Sequence, residues 1–189
     1  MKRETKFLLV INAFFVFALN LFAPLYALYV NRIDPSVLHI GGVWSVYIFS
    51  VGVLALLVSR YPKRMEYAGM FLILGFLLRG AAWLGYIFAS NIWHIYAIQI
   101  LLAAGEALGT PSYNILYSSF LDKGKFGSEW GVNTSVFAFA AGVASFLGAV
   151  IVDKLGFPVL FAVMIILSLF STVLALRNKK IFVNRSADR

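Results

Sequence analysis

The chain has 189 residues, of which 61% are hydrophobic and only 13% are charged, and its formal net charge is +8. This balance excludes an ordinary soluble domain and predicts an integral membrane protein. The sequence contains no cysteine, which excludes disulfides, thiol chemistry and cysteine-ligated metals.

Six apolar segments, taken in chain order, are each close to the ~20 residues that a helix needs to cross a bilayer. They cover residues 7–29, 37–58, 67–88, 92–116, 131–152 and 158–176. The connections are short, so residues 1–189 are predicted to form a single six-helix transmembrane bundle. The segments are continuous, whereas strands of a membrane barrel alternate in hydrophobicity over ~10 residues. The predicted fold is therefore all-α.

Lysine and arginine lie almost entirely on one side of these spans. The N-terminus, the 2–3 loop, the 4–5 loop and the tail carry thirteen of them, and the other loops carry only Arg32 and Lys154. Because basic loops stay in the cytoplasm, both termini are expected to be cytoplasmic, in a multi-pass protein of the cell membrane. The positive charge thus reports topology, and no nucleic-acid partner is expected.

An internal repeat relates the two halves of the chain. "SVYIFSVGV" at residues 45–53 and "SVFAFAAGV" at residues 135–143 share five of nine positions, and Pro24 in "APLYALY" faces Pro111 in "TPSYNILY". The repeat units, about residues 7–88 and 92–176, contain three spans each. Three is odd, so the second unit enters the membrane the other way up. Such 3+3 inverted repeats are a recurrent construction of secondary transporters, with the substrate site at mid-membrane.

The second half of the chain also resembles a known family. "GEALGTPSYNILYSSFLDKGKFGSEWGV" followed by "GAVIVDKLGFPVLF" is similar to the N-terminal bundle of the major facilitator superfamily. The junction residues that fit are Gly148, Asp153, Gly156, Phe157 and Phe161. The 2–3 loop keeps three basic residues of the family's pattern, but Ser59 stands in place of its acid. The resemblance implies a gating role for the loop residues Arg60, Lys63, Arg64 and Asp153.

Members of this family usually have two six-helix halves, so the chain resembles one half of a transporter. Two copies with the same orientation would rebuild the whole, which predicts a parallel homodimer; a different partner chain is the alternative. The implied function is secondary active transport by alternating access, and no enzyme activity or cofactor is expected. Coupling to a proton gradient, as a symporter, is expected only if Glu106 carries a proton. No acidic or histidine cluster has metal-ligand spacing.

Polar residues of the spans indicate a substrate cavity. In the family, the first and fourth helices line the central cavity, and a polar stripe through a bilayer should not face lipid. The expected cavity residues are Asn12, Asn20, Gln99, Thr110, Tyr113, Asn114, Tyr117 and Asn133. These neutral amides and hydroxyls favour a neutral, sugar-like solute. A drug or lipophile exporter and a non-transporting assembly protein remain as alternatives.

Two opposite charges lie within the membrane at comparable depth. Arg79 is about eleven residues from the end of the third span, and Glu106 is about fifteen residues into the fourth. A lone charge in a bilayer is costly, so an ion pair between them is one interpretation. The other is a proton carrier, since a carboxylate holds a proton when buried alone and releases it beside arginine. The two interpretations are compatible.

Small residues on the second and fifth spans indicate helix contacts. Such residues let membrane helices approach closely, and in the family these helices join the two halves. The proposed dimer seam contains Gly42, Ser45, Gly52, Ser135 and Gly142, with packing inside one bundle as the alternative. The sixth span is nearly all apolar and is expected to face lipid.

Overall fold

The computed structural model describes residues 1–61, 66–178 and 181–182. Its helices within these ranges are α1 (Arg3–Phe22), α2 (Tyr26–Ile33), α3 (Val37–Ser59), α4 (Ala68–Ile87), α5 (Ile92–Phe120), α6 (Phe126–Leu155) and α7 (Phe157–Arg177). Helices α1 and α2 together form the first span. Six segments of the described chain are long and apolar enough to cross a membrane. The six predicted spans and the all-α class are therefore confirmed.

The two prolines that align in the repeat have different effects on their helices. Pro24 lies in a 3₁₀ turn, Ala23–Leu25, where α1 ends and α2 begins. Pro111 lies inside α5, which continues through it. A proline inside a helix lacks the N–H that would bond the carbonyl four residues earlier, and its ring crowds that carbonyl. The helix of the first span is interrupted at Pro24, whereas the helix of the fourth span continues through Pro111.

Helices α4 and α5 have the most extensive contact of the bundle. A Cβ atom on Gly75 would lie 2.6 Å from the Cα of Gly109 and 2.9 Å from the carbonyl oxygen of Gly105. Gly105 and Gly109 are four residues apart and so present one smooth face, a spacing that brings membrane helices together. Elsewhere, α3 packs on α5, α1 packs on α6 and α7, and α4 packs on α7.

Helices α3 and α6 lie at the outside of the single bundle. Only 6% of the most apolar stretch of α3 is buried, and 11% of that of α6, against 39% to 50% for the other four spans. Large apolar side chains such as Phe49 and Phe139 are mostly exposed on them. These two helices therefore leave a larger share of their residues free to meet lipid or another chain than the other spans do.

The expectation that the sixth span simply faces lipid is wrong, because one side of α7 is buried against α4 and α1. Ser168 Oγ donates to the carbonyl of Phe76 at 2.8 Å, and Ser171 Oγ donates to the carbonyl of Ile11 at 3.0 Å. Both serines are buried, and they join α7 to α4 and α1. Composition did not reveal this because lipid tails and a helix interface are similarly apolar.

Polar contacts lie at both ends of the bundle. At the end that holds the N-terminus, the Met1 ammonium lies 3.0 Å from Asp122 Oδ2 and lowers the pKa of that carboxyl. At the far end, Asp34 accepts a hydrogen bond from the Ser36 N–H at 2.9 Å and contacts His39 Nδ1 at 2.7 Å. These two contacts, the Ser36 N–H first, lower the pKa of Asp34.

The same topology separates the residues that were assigned to one gating loop. Arg60 is the C-cap of α3 and lies at the end of the bundle that holds the N-terminus of the chain. Asp153 lies in the last turn of α6, at the opposite end of the bundle. Asp153 is exposed and pairs with its neighbour Lys154 at 3.0 Å. A single gate containing both Arg60 and Asp153 is therefore wrong, because a whole span separates them. Lys63 and Arg64 lie outside the described residues.

Candidate functional site

Arg79 and Glu106 meet in the middle of the bundle. Arg79 Nη2 lies 3.0 Å from Glu106 Oε2 and donates a second hydrogen bond to Thr110 Oγ1 at 3.1 Å. The guanidinium carbon lies 4.7 Å from the centre of the Phe15 ring, a cation–π geometry. The Arg79 side chain is 6% exposed and that of Glu106 is 25% exposed.

Two glycines of α5 make room for the arginine. A Cβ atom on Gly105 would lie 2.6 Å from Arg79 Cγ, and one on Gly109 would lie 2.9 Å from Arg79 Nη2. The Gly105–Gly109 spacing therefore serves both the helix contact and the position of the charge. The charge on α4 is evident from the sequence, whereas the role of these two glycines was not predicted, although their four-residue spacing is a signal of close helix packing.

A polar cavity of about 280 Å³ opens on one side of Arg79. It lies toward the N-terminal end of the bundle, between α1, α4, α5 and α6. Its polar lining consists of Asn12, Arg79, Thr110, Tyr113, Asn114 and Asn133. The Tyr113 hydroxyl donates to Asn133 Oδ1, which ties α5 to α6 at the wall. Five of the eight expected cavity residues thus lie together.

An aromatic cavity of about 160 Å³ opens on the other side of Arg79. Its lining includes Phe22, Tyr26, Trp44, Tyr47, Trp83 and Tyr86. Gln99 lies here and not in the polar cavity, because it is bonded to the Tyr26 hydroxyl. The Tyr86 hydroxyl is buried and has no hydrogen-bond partner within the described chain.

Arg79 lines both cavities, whereas Glu106 lines only the aromatic one and Thr110 only the polar one. The guanidinium therefore forms part of the partition between them, with one acceptor on each side. Its Nε is buried and has no partner among the described residues. A buried donor of this kind is costly unless something pairs with it, so the partition has unused capacity to bind an acceptor.

Asn20 and Tyr117 lie outside both cavities. Asn20 donates to the carbonyl of Val16 in its own helix at 2.8 Å, and its own carbonyl accepts from Ser145 of α6 at 3.4 Å. It is eight residues from Asn12, which at 100° per residue leaves the two about 80° apart around the helix. Tyr117 is fully buried and donates to the carbonyl of Glu129 at 2.7 Å.

Four of the five proposed seam residues face outward, and Gly42 does not. A Cβ atom on Gly42 would overlap the Tyr96 hydroxyl, so this glycine serves the contact of α3 with α5. The exposed four are Ser45, Gly52, Ser135 and Gly142. The two serine hydroxyls donate to carbonyls of their own helices at 2.9 Å. These four small residues therefore lie among the large exposed side chains of α3 and α6.

The family model that matches this chain is that of the Major Facilitator Superfamily, over residues 7–186. The match covers nearly all of the 189 residues, and the chain therefore belongs to this superfamily. Its class is that of a membrane transporter. With six spans in the described chain, it is consistent with a half-size member of the family. None of the curated proteins matches it.

Proposed function

We propose that the protein is a secondary active transporter that moves a small polar solute by alternating access, coupled to protons through Glu106. The observation that carries this proposal is the charge pair between the two cavities. The polar cavity, lined by five neutral hydrogen-bonding side chains, suits a solute with sugar-like hydroxyl groups. Its volume of about 280 Å³ is just below the ~300 Å³ at which the usual range of ligand pockets begins, which suits a small solute.

The packing of the spans supports an inverted 3+3 repeat. The first span packs on the fifth and sixth as the fourth packs on the second and third. Exchanging the two units therefore leaves these contacts in place, as a two-fold axis in the membrane plane would require. With both termini on the cytoplasmic side, as the basic loops indicate, the polar cavity would open inward and the aromatic cavity outward.

The position of Glu106 supports proton exchange with one cavity while the residue contacts Arg79. It is partly exposed to the aromatic cavity and bonded to Arg79. An opposite charge favours the ionised carboxylate, and its withdrawal favours the protonated form. A change in the separation of α4 and α5 would therefore load or release a proton at this residue.

A parallel homodimer would complete the transporter. Helices α3 and α6 supply the outermost surface of the bundle, and each carries small residues along it. Because family members combine two six-helix halves, a second copy in the same orientation is the partner that this surface fits.

The test is uptake into proteoliposomes by wild type and Glu106→Gln. We expect Glu106→Gln to abolish uptake driven by a pH gradient, because the amide cannot carry the proton, while exchange of solute across the membrane persists. Glu66→Gln, which removes an exposed acid at the N-terminal end, is the control and should behave as wild type. Equal loss of folding and of both activities in Glu106→Gln would instead assign the ion pair a purely structural role.

The aromatic cavity supports a second candidate, the export of a drug or other lipophile. Its lining is largely aromatic, and the hydroxyl of Tyr86 is free to bond a ligand within it. Flux of a planar aromatic cation such as ethidium, measured in the same proteoliposomes, separates the candidates. Efflux that is sensitive to Trp83→Ala and insensitive to Asn133→Ala would favour the lipophile.

A further inference from the structure

We propose that the transported solute carries one carboxylate, which binds Arg79 from the polar cavity while Glu106 takes up the proton that accompanies it. This rests on the proposed function and names its substrate class: a small polyhydroxylated acid that moves with one proton. It replaces the neutral solute expected from the sequence with an acidic one.

The first reason is the free capacity of the arginine. Its described bonds to Glu106 and Thr110 both use Nη2, and Nε has no partner. Arginine binds a carboxylate best through two parallel N–H groups. The side chain lines the polar cavity, where the other polar groups are amides and hydroxyls. Within that cavity's described lining, no acid competes with an incoming carboxylate.

The second reason is charge balance inside the membrane. With Glu106 ionised, the pair is neutral, and an anion added to it would leave one uncompensated negative charge. With Glu106 protonated and no anion bound, Arg79 would be the uncompensated charge. Either state is costly at mid-membrane. Loading a proton and a carboxylate together keeps the site neutral, so the two are expected to bind as a unit.

The surroundings of Glu106 contain few other groups that could balance its charge. The titratable side chains that share its cavity are Tyr26 from α2, Tyr47 from α3, and Arg79 and Tyr86 from α4. The residues of α1 that line the same cavity, Leu19 and Phe22, are apolar. Among these groups Arg79 alone carries a charge at neutral pH, so protonation of Glu106 directly changes what Arg79 can bind.

The hydroxyl groups of the solute would meet the remaining walls. Asn12 of α1, Tyr113 of α5 and Asn133 of α6 line the polar cavity beyond the guanidinium. Amide and hydroxyl groups both donate and accept, which matches a polyol. A solute with a carboxylate at one end and hydroxyls along its length would use both features.

The experiment compares acids with matched neutral polyols on the purified full-length chain. Radiolabelled D-gluconate is paired with D-sorbitol, and D-glycerate with glycerol, in a scintillation-proximity assay at pH 5.5 and 7.5. Both acids stay largely ionised over this range. One coupled proton changes a binding constant by up to about tenfold per pH unit. We therefore expect an acid to bind at least tenfold tighter at pH 5.5 than at pH 7.5. At pH 5.5 the matched polyol should bind at least tenfold more weakly than the acid.

Two variants test the roles of the charge pair. Glu106→Gln imitates the protonated acid, so it should bind the acid with the same affinity at both pH values. Arg79→Gln alone would leave Glu106 unpaired and could fail to fold, so it is made together with Glu106→Gln. That double variant is expected to bind the acid at least tenfold more weakly than Glu106→Gln does.

Three results would overturn the inference: equal binding of acid and polyol, acid binding unaffected in the double variant, or no binding of either acid to wild type and Glu106→Gln. Uptake in proteoliposomes separates these failures from failure of the proposed function. Uptake of sorbitol or glycerol driven by a pH gradient would support the proposed proton-coupled transporter and would reject only the requirement for a carboxylate on the solute.

Discussion

At the scale of single residues, two tyrosines one helical turn apart on α5 have separate tasks. Tyr113 donates to Asn133 at the wall of the polar cavity, and Tyr117 donates to the carbonyl of Glu129 where both are buried. Their rings stack with centroids 5.5 Å apart. The proximity of the two makes them a matched pair for separating solute recognition from stability.

We expect Tyr113→Phe to weaken solute binding by about five- to tenfold, because one hydrogen bond is worth about 1 kcal/mol. Tyr117→Phe should lower the free energy of unfolding by about 1 kcal/mol, since it removes a buried hydrogen bond between α5 and α6, while the affinity stays at the wild-type value. Binding isotherms and melting curves on both variants check this. An equal loss of affinity in both would mean that the cavity wall is not the binding surface.

Asp34 provides a pH-dependent contact at the far end of the bundle. Its pKa is lowered by the Ser36 N–H and by His39. A carboxyl with a lowered pKa in the folded protein adds stability above its unfolded pKa, near 4, and that stability is lost as the pH falls below this value. Asp34→Asn should therefore lower the melting temperature at pH 6, and this effect should shrink progressively as the pH falls below 4.

The control for Asp34→Asn is Asp153→Asn, at the same end of the bundle, where the acid is exposed and contacts only Lys154 among the described residues. Its melting temperature should match wild type at pH 6. If Asp34→Asn melted like wild type at pH 6, the loop contact would have no role in stability.

At the scale of helices, glycine placement decides which elements can touch. Gly75 lies where α4 meets the backbone of α5, and Gly41 on α3 has open space around the position of a Cβ. An added methyl group at Gly75 would therefore overpack the contact with α5. The same group at Gly41 would only raise the helix propensity of α3.

We expect Gly75→Ala to destabilise the protein by about 1–3 kcal/mol and to impair transport, because separating α4 from α5 also moves Arg79 away from Glu106. Gly41→Ala should be neutral or slightly stabilising. Melting temperature in detergent and pH-driven uptake are the two measurements. A Gly75→Ala protein as stable and active as wild type would contradict the close approach of the two helices.

At the scale of the whole molecule, the outward faces of α3 and α6 carry the predicted dimer seam. Gly142→Leu places a bulky side chain on this face, and Ala162→Leu does the same on the exposed side of α7. Overpacking a contact costs about 1–3 kcal/mol, so Gly142→Leu should weaken dimerisation by about tenfold or more.

Crosslinking yield and native mass in lipid nanodiscs measure the dimer fraction. Ala162→Leu should keep the wild-type fraction, because α7 is not part of the seam. A strictly monomeric wild-type protein that still transports would refute the homodimer. Equal dimer fractions in both variants would mean that the dimer contact lies on another face of the bundle.

Part of the site could be read from the chain, and the reason is periodicity. Thr110, Tyr113 and Asn114 lie on one side of α5 because of their spacing, and the structure places all three at the polar cavity. Asn20 could not be placed in the same way. Its backbone and amide bonds link it to α1 and α6, and no periodicity within one helix shows which neighbour a side chain will meet.

The six spans follow from the order of residues alone, since a bilayer requires about 20 apolar residues per helix and satisfies no backbone polar group. That requirement is local and can be read residue by residue. The buried face of α7, the place of Gln99 in the aromatic cavity and the position of Arg79 between two cavities became evident only from the packed helices. Lipid and protein interior are both apolar, so the choice between them depends on how the helices pack.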